Sequence, residues 1–315
     1  MDFGTRVDAD FQARTAATLE SAIAMAIDSS TEPTCPSDLA AAVRYAVFPG
    51  GARVRPRLCM AVAAACQATD RSFLNATAIA FELLHCASLV HDDLPCFDDA
   101  PLRRGKPSVH RAFGEPLAVL TGDALIVLAF DTLAVGAVAA PHKLGPILRI
   151  VARAVGMPHG IVAGQAWECE SAGLGPSMAS AHSMSSVSVA RYQRAKTGAL
   201  FVGAAQAGAL IADANPIVWS RFAEYLGEAY QVADDIADAV GRSEDLGKPV
   251  GRDAALGRPS AVGLAGLAAA LQRFQQLMRQ SAEAIPACAG ADRLRALVNA
   301  EAKRILPADL ARCAA

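Results

Sequence analysis

Apolar residues recur at helical spacing along almost the whole chain, and no run alternates convincingly at period two. A chain patterned this way can pack helix on helix and little else, so strands are not expected. Helices are expected over about 8–28, 37–48, 54–68, 73–93, 116–139, 144–156, 159–171, 186–213, 216–241, 260–285 and 291–304. "FPGG" at Phe48–Gly51, "AAPHKLGP" at Ala139–Pro146 and "ANP" at Ala214–Pro216 punctuate them. Alanine is abundant and aromatics make up only 5%, which leans the same way. No repeat and no shift in composition divides the 315 residues, so one all-α domain is expected. The small, polar stretch Ser171–Ser188 reads as a surface loop.

Several classes of function drop out. A formal net charge of −2 gives no basic field for nucleic acid. The cysteines form no CxxC pair and no Cys/His metal spacing, and "MDFGTRVDAD" lacks the basic-then-apolar layout of a signal peptide. A reduced, cytoplasmic protein is expected. The apolar run Leu125–Ala140 is short for a bilayer span and carries Asp131 within it, so it reads as a buried helix, not a stable membrane span.

Against this apolar background two acidic clusters stand out. In "YQVADDIAD", Asp234 and Asp238 are four residues apart and share a helix face. Asp235 is turned about 100° away. Like charges stacked on an apolar helix repel unless a cation sits between them. The other cluster lies in "LVHDDLPCFDDAPLRRGKPSVH", Leu89–His110. His85 and Asp92 are seven apart, about two turns along one face. Pro95 then stops the helix and lets Asp98 fold back towards Asp92. Carboxylates facing each other from two helices make a hard oxygen site that suits Mg²⁺, which accepts one or two carboxylates and fills its shell with water and phosphate oxygens. Cations follow the first cluster directly at Arg103, Arg104 and Lys106, and others stand elsewhere in the chain: Arg53 and Arg55, Lys196, and Lys248, Arg252 and Arg258. Arginine forks and lysine point charges bind phosphate. Acids for metal, metal and bases for a diphosphate, and an apolar helical wall around them form one consistent chemistry.

At these residues the sequence resembles the trans-isoprenyl diphosphate synthases. The likeness runs from "GGARVRP" through "DDLPCFD", "LRRGKPSVH", "GDAL", "GQAWE" and "KTGAL" to "YQVADDIAD" and "GRDAALGRPSAV". It is strongest with the bacterial, carotenoid-pathway members that make geranylgeranyl diphosphate. The resemblance implies ten or more helices around a central active-site cavity, a homodimer, and three Mg²⁺ ions. It implies condensation of isopentenyl diphosphate with an allylic diphosphate (dimethylallyl, geranyl or farnesyl). Asp92, Asp98 and Asp234 would ligate metal, with Asp93, Asp235 and Asp238 ligating or bonding metal-bound water. Arg103, Lys196, Lys248 and Arg258 would take the allylic diphosphate, and Thr197 and Gln231 would lie beside its reacting carbon. Gly51, Arg55, His85 and Arg104 would hold the diphosphate of isopentenyl diphosphate, and Gln165 would line the site. Ala87 and Ser88, five and four places before Asp92, would form the floor that sets product length. Neither carries a ring, which favours the geranylgeranyl product over farnesyl diphosphate.

The chain departs from the family pattern at Ala52, where a lysine is usual. Arg53 is the nearest replacement for that charge; otherwise isopentenyl diphosphate binds more weakly. Arg252 and Arg258 stand where lysines are common, and Ser260 where threonine is common. A class I terpene cyclase shares the acidic helices, but "GGARVRP" and "LRRGKP" serve a second diphosphate that a cyclase does not need. A non-catalytic synthase subunit typically loses aspartates from one motif, and this chain keeps both.

Overall fold

The computed structural model describes residues 17, 20–29, 34–49, 51–171, 192–240 and 260–306. Lys248, Arg252 and Arg258 fall outside them, as does the expected loop from residue 172 to 188. Helix α1 covers residues 20–29. There follow α2 (Ser37–Val47), α3 (Val54–Ala65) and α4 (Arg71–Asp92). A hairpin comes next, β1 (Leu102–Arg103) with β2 (Lys106–Pro107), then α5 (Val109–Phe113), α6 (Glu115–Gly136), α7 (Pro141–Val155) and α8 (Ile161–Ser171). A π turn, Arg194–Gly198, leads into α9 (Ala199–Ile211). The chain continues through α10 (Ser220–Val240), α11 (Ala261–Ala265), α12 (Leu267–Glu283) and α13 (Ala291–Ile305).

The architecture is the all-α packing that the periodicity predicts. Helix α4 runs through the middle, with Phe73, Leu74, Ala80, Phe81, Leu83 and Ala87 all almost fully buried. It packs along α6 and α3; α9 packs on α3, α7 and α10, and α10 on α12. Alanines at many of these contacts let helix axes approach closely. Asp70 caps α4, its Oδ1 accepting from the Phe73 amide at 3.0 Å.

Three local expectations change. The segment 260–285 is two helices, broken where Gly266 takes φ 82°. Helix α7 starts at Pro141, inside the stretch read as a connection; Pro141 sits at the helix start, where no amide donor is missed, and the helix continues through Pro146 in its interior. Helix α6 is buried on one side only. Leu125, Ala129 and Leu133 are covered, whereas Val127 and Val135 are 67% exposed. By length and composition α4 and Glu115–Ala139 could each cross a membrane, but 78% of the α4 window lies inside the protein, as in a core helix.

Candidate active site

The first acidic cluster sits where α4 stops. Asp92 is the last helical residue and Asp93 its cap. Beyond Pro95 the chain doubles back, so that the Asp98 amide bonds the Asp92 carbonyl at 3.0 Å and the Ala100 amide bonds the Asp93 carbonyl at 3.1 Å. The return of Asp98 to Asp92, read from the proline, is therefore what the backbone does.

The two arginines that follow are separated by the hairpin. Arg104 and Gly105 form its turn with φ 54° and 77°, the pair of positive values that a tight two-residue hairpin requires. Strands were not expected, because a two-residue ladder is too short to leave an alternating pattern. Arg103, on the strand, turns to Asp93: its Nε lies 3.1 Å from both carboxylate oxygens and its Nη2 also bonds Oδ1. Asp93 is buried, which pushes its carboxyl up, while the Arg103 bond acts in the opposite direction. Arg104, in the turn, points elsewhere, with Nη2 3.8 Å from Glu82 Oε1. Lys106 is half-buried and not a solvated loop charge. Its ammonium bonds the Tyr45 and Phe48 carbonyls and sits 3.6 Å from the centre of the Tyr45 ring.

At the start of α3, Arg53 adopts φ 48° and turns inward. It bonds Glu20 at 2.7 and 3.0 Å, the Val47 carbonyl at 3.0 Å and Glu82 at 2.6 Å. It is buried and committed, so it does not replace the cation missing at exposed Ala52. Arg55, two residues on, has Nη1 3.2 Å from His85 Nε2 and its guanidinium 5.1 Å above the Phe201 ring. Burial, and then the surrounding arginines led by Arg55 and Arg104, hold the His85 pKa well below its ordinary value. The ring is therefore neutral and its Nε2 accepts from Arg55.

The π turn joins the two acidic clusters. Lys196 Nζ lies 3.3 Å from Asp92 Oδ1 and also bonds Glu168 Oε2 on α8. Tyr192 donates to the other Glu168 oxygen at 3.2 Å. Gly164 of α8 approaches the Lys196 backbone so closely that a Cβ there would sit 2.5 Å from its nitrogen. The next residue, Thr197, donates its hydroxyl to Gln231 Oε1 on α10 at 2.6 Å. Gln231 Nε2 in turn bonds Asp235 at 2.9 Å, and the Ala261 amide takes the other Asp235 oxygen at 2.7 Å. Asp234 is exposed, while Asp235 and Asp238 are buried. π turns concentrate at functional sites because the widened helix re-aims side chains. This one aims consecutive residues at α4 and α10.

The remaining candidates fall around this frame. Gln165 is half-buried on α8, one turn before Glu168. Ala87 is 2% exposed, and half-buried Ser88 donates to the His85 carbonyl at 2.8 Å. Gly51 lies under Arg104, where an added Cβ would come within 3.2 Å of its Nε. Sequence reasoning left out Glu82 and Glu20. A single acid within the apolar run "AFELLH" was the available signal for Glu82.

Among the described residues no three acidic, imidazole or thiol groups converge to hold a metal ion unaided. Asp92 and Asp98 bring two oxygen donors to one turn, and that donor set fits Mg²⁺, whose shell is usually completed by water and phosphate oxygens. Comparison with known proteins decides the family, since a polyprenyl synthetase match runs over residues 36–291. The chain belongs to the polyprenyl synthetase family. It is 46% identical over 293 residues to a geranylgeranyl diphosphate synthase from Cereibacter sphaeroides, covering 93% of this chain and 97% of that one. An FPP/GFPP synthase from Zymomonas mobilis superposes with a TM-score of 0.78 at 30% identity, over 93% of this chain and 99% of the other. A geranyltransferase from Helicobacter pylori, complexed with magnesium and isoprenyl diphosphate, gives 0.76 at 27% identity, over 90% and 96%. The all-α fold of this polyprenyl synthetase is thus the isoprenoid synthase fold.

Proposed function

We propose that this polyprenyl synthetase is a magnesium-dependent, chain-elongating prenyltransferase. It condenses isopentenyl diphosphate with allylic diphosphates and releases geranylgeranyl diphosphate, as a cytoplasmic enzyme supplying carotenoid synthesis. The observation that carries the reading is the π turn. Lys196 on Asp92 and Thr197 on Gln231 tie both acidic helices to one place.

In this reading Lys196, Arg103, Lys248 and Arg258 bind the allylic diphosphate and oppose the charge that builds on it as the allylic C–O bond breaks. Magnesium, when bound at Asp92, Asp98 and Asp234 with help from Asp93 and Asp238, supplies Lewis-acid neutralisation of that same charge, with three ions as the family number. Thr197 and Gln231 offer oxygen dipoles to the electron-poor carbon, and Gln165 lines the same space. Alanine-rich helix walls exclude the water that would quench it. Arg55 and Arg104, with Gly51 and His85, hold isopentenyl diphosphate in line so that its double bond attacks. This second cationic group also supports condensation over single-substrate cyclisation. A second copy of the chain covers the exposed apolar side of α6, giving the homodimer.

Ala87 and Ser88 leave the floor below Asp92 without a ring, which supports the longer product. Farnesyl diphosphate is the alternative. Purified protein incubated with isopentenyl diphosphate, Mg²⁺ and each allylic starter tests both points. Geranylgeranyl diphosphate is the expected main product. Farnesyl diphosphate alone would overturn the chain length, and no condensation would overturn the activity.

A further inference from the structure

Glu82 is 1% exposed on the inner side of α4, among Ala78, Phe81 and Leu83, which are fully buried. A carboxylate in such a place costs several kcal/mol unless cations pay for it, and an apolar side chain of similar size would pack at least as well. Its surroundings are cationic. Arg53 Nη1 bonds Glu82 Oε1 at 2.6 Å, and Arg104 Nη2 stands 3.8 Å from the same oxygen. The charge of Glu82 also acts on Arg55, offsetting the burial that works against that guanidinium. Arg53 and Arg104 thus reach Glu82 directly and Arg55 feels its charge, with Glu20 as the further carboxylate on Arg53. Two carboxylates against three guanidiniums leave the cluster positive, as an anion pocket should be.

The same helix uses this device twice. Asp93 lies eleven residues after Glu82. On an ideal helix that is about 16 Å along the axis and about 20° around it, so the two buried acids share one side. Asp93 takes Arg103 and Glu82 faces Arg104, so the hairpin's consecutive arginines are each referred to a different acid of α4. Arg104 is held between Glu82 and the Gly51 backbone.

We propose that Glu82 is the positioning residue of the isopentenyl diphosphate pocket. It fixes the Arg104 guanidinium over Gly51, and by fastening Arg53 to the core it sets the entry of α3 that delivers Arg55. The proposal rests on the reading of these residues as the second diphosphate site. Glu82 itself touches no substrate. Its effect is geometric: an unanchored Arg104 samples many rotamers and must be ordered again at each binding event. Pure electrostatics predicts the opposite sign, because removing a nearby negative charge would strengthen anion binding.

The test compares wild-type, Glu82→Gln and Glu82→Asp full-length proteins. Steady-state kinetics are run with each substrate varied in turn, and metal-free inorganic pyrophosphate binding is measured by calorimetry. Glu82→Gln keeps an acceptor for Arg53 but loses the charge facing Arg104. The KM for isopentenyl diphosphate is expected to rise about tenfold, with the allylic KM within about twofold. Glu82→Asp keeps the charge on a shorter reach, guards against misfolding of the first variant, and should raise the same KM by roughly threefold. An unchanged or lower KM for isopentenyl diphosphate, or equal rises in both KM values, would overturn the proposal while leaving the enzyme assignment intact. If wild-type protein fails to condense the substrates, the activity reading falls. Weaker pyrophosphate binding in both variants would then still support Glu82 as the anchor, and equal binding would overturn it.

Discussion

Thr197 Oγ1 stands 2.6 Å from Gln231 Oε1, and through that bond the π turn is fastened to the second acidic helix. Gln231 has its amide nitrogen on Asp235, so its orientation is fixed from both ends. Replacing Thr197 by Val keeps the shape and removes the donor, leaving a half-buried acceptor unpaired at a cost of about 1–3 kcal/mol. If that orientation matters only in the transition state, kcat should fall roughly 10- to 100-fold. Thr197→Ser should retain most of the rate. A rate for Thr197→Val within twofold of wild type would show that the bond is not used in catalysis.

Asp92 meets Lys196 at 3.3 Å at the mouth of α4, half-buried and beside the returning Asp98 backbone. Asp92→Ala removes a carboxylate from the end of a helix whose stability comes from its apolar length, so circular dichroism and melting temperature should change little. Turnover should drop by about 10³-fold or more, the scale seen when a group opposing transition-state charge is lost. The same is expected of Asp234→Ala on α10. Near-normal condensation in either protein would refute the metal assignment.

The parts of this molecule legible in the sequence are those that periodicity and charge encode directly. Helical spacing gave α2, α3, α4 and α10 within a few residues, and Pro95 foretold the return of Asp98. Other features have no such code. The π turn is a single shift of hydrogen-bond register inside a segment that reads as ordinary helix, yet it aims Lys196 and Thr197 in different directions. The hairpin spans two residues per strand, too few for alternation. Helix α6 carries apolar residues on every side, so its pattern cannot tell which side stays exposed. Arg53 looked like a replacement for the absent lysine because charge can be counted in a sequence, whereas the inward turn at φ 48° cannot.

His85 provides a test through stability. In the folded protein burial and the neighbouring arginines keep it neutral well below its ordinary value of 6.5. The unfolded chain takes up a proton as pH falls through about 6.5, while the folded chain does not. The unfolded state then binds more protons, so stability declines with falling pH until the lower folded value is reached. Above 6.5 the group has no effect on the slope. His85→Gln, which has no titrating ring, should flatten the decline in melting temperature between about pH 6.5 and 5. An equally steep decline in the variant would place the proton uptake on another group.

The two residues proposed to limit product length are not equivalent in the structure. Ala87 is 2% exposed and packed among core side chains, so Ala87→Phe must first overpack the interior, at a typical cost of about 1–3 kcal/mol. Ser88 is half-buried and lies about 40° from Asp92 around the helix, against about 140° for Ala87. Its hydroxyl is turned back onto the His85 carbonyl at 2.8 Å, which leaves only its small Cβ beneath the acidic cluster. A tyrosine at that position cannot make the same bond, and its ring must project into the space below Asp92. Ser88→Tyr should therefore shift the main product to one isoprene unit shorter, with melting temperature little changed. Ala87→Phe should show a lowered melting temperature along with any shortening. Chromatographic sizing of the dephosphorylated products separates these outcomes; an unchanged profile in Ser88→Tyr would put the floor on an opposing helix or on a second copy of the chain.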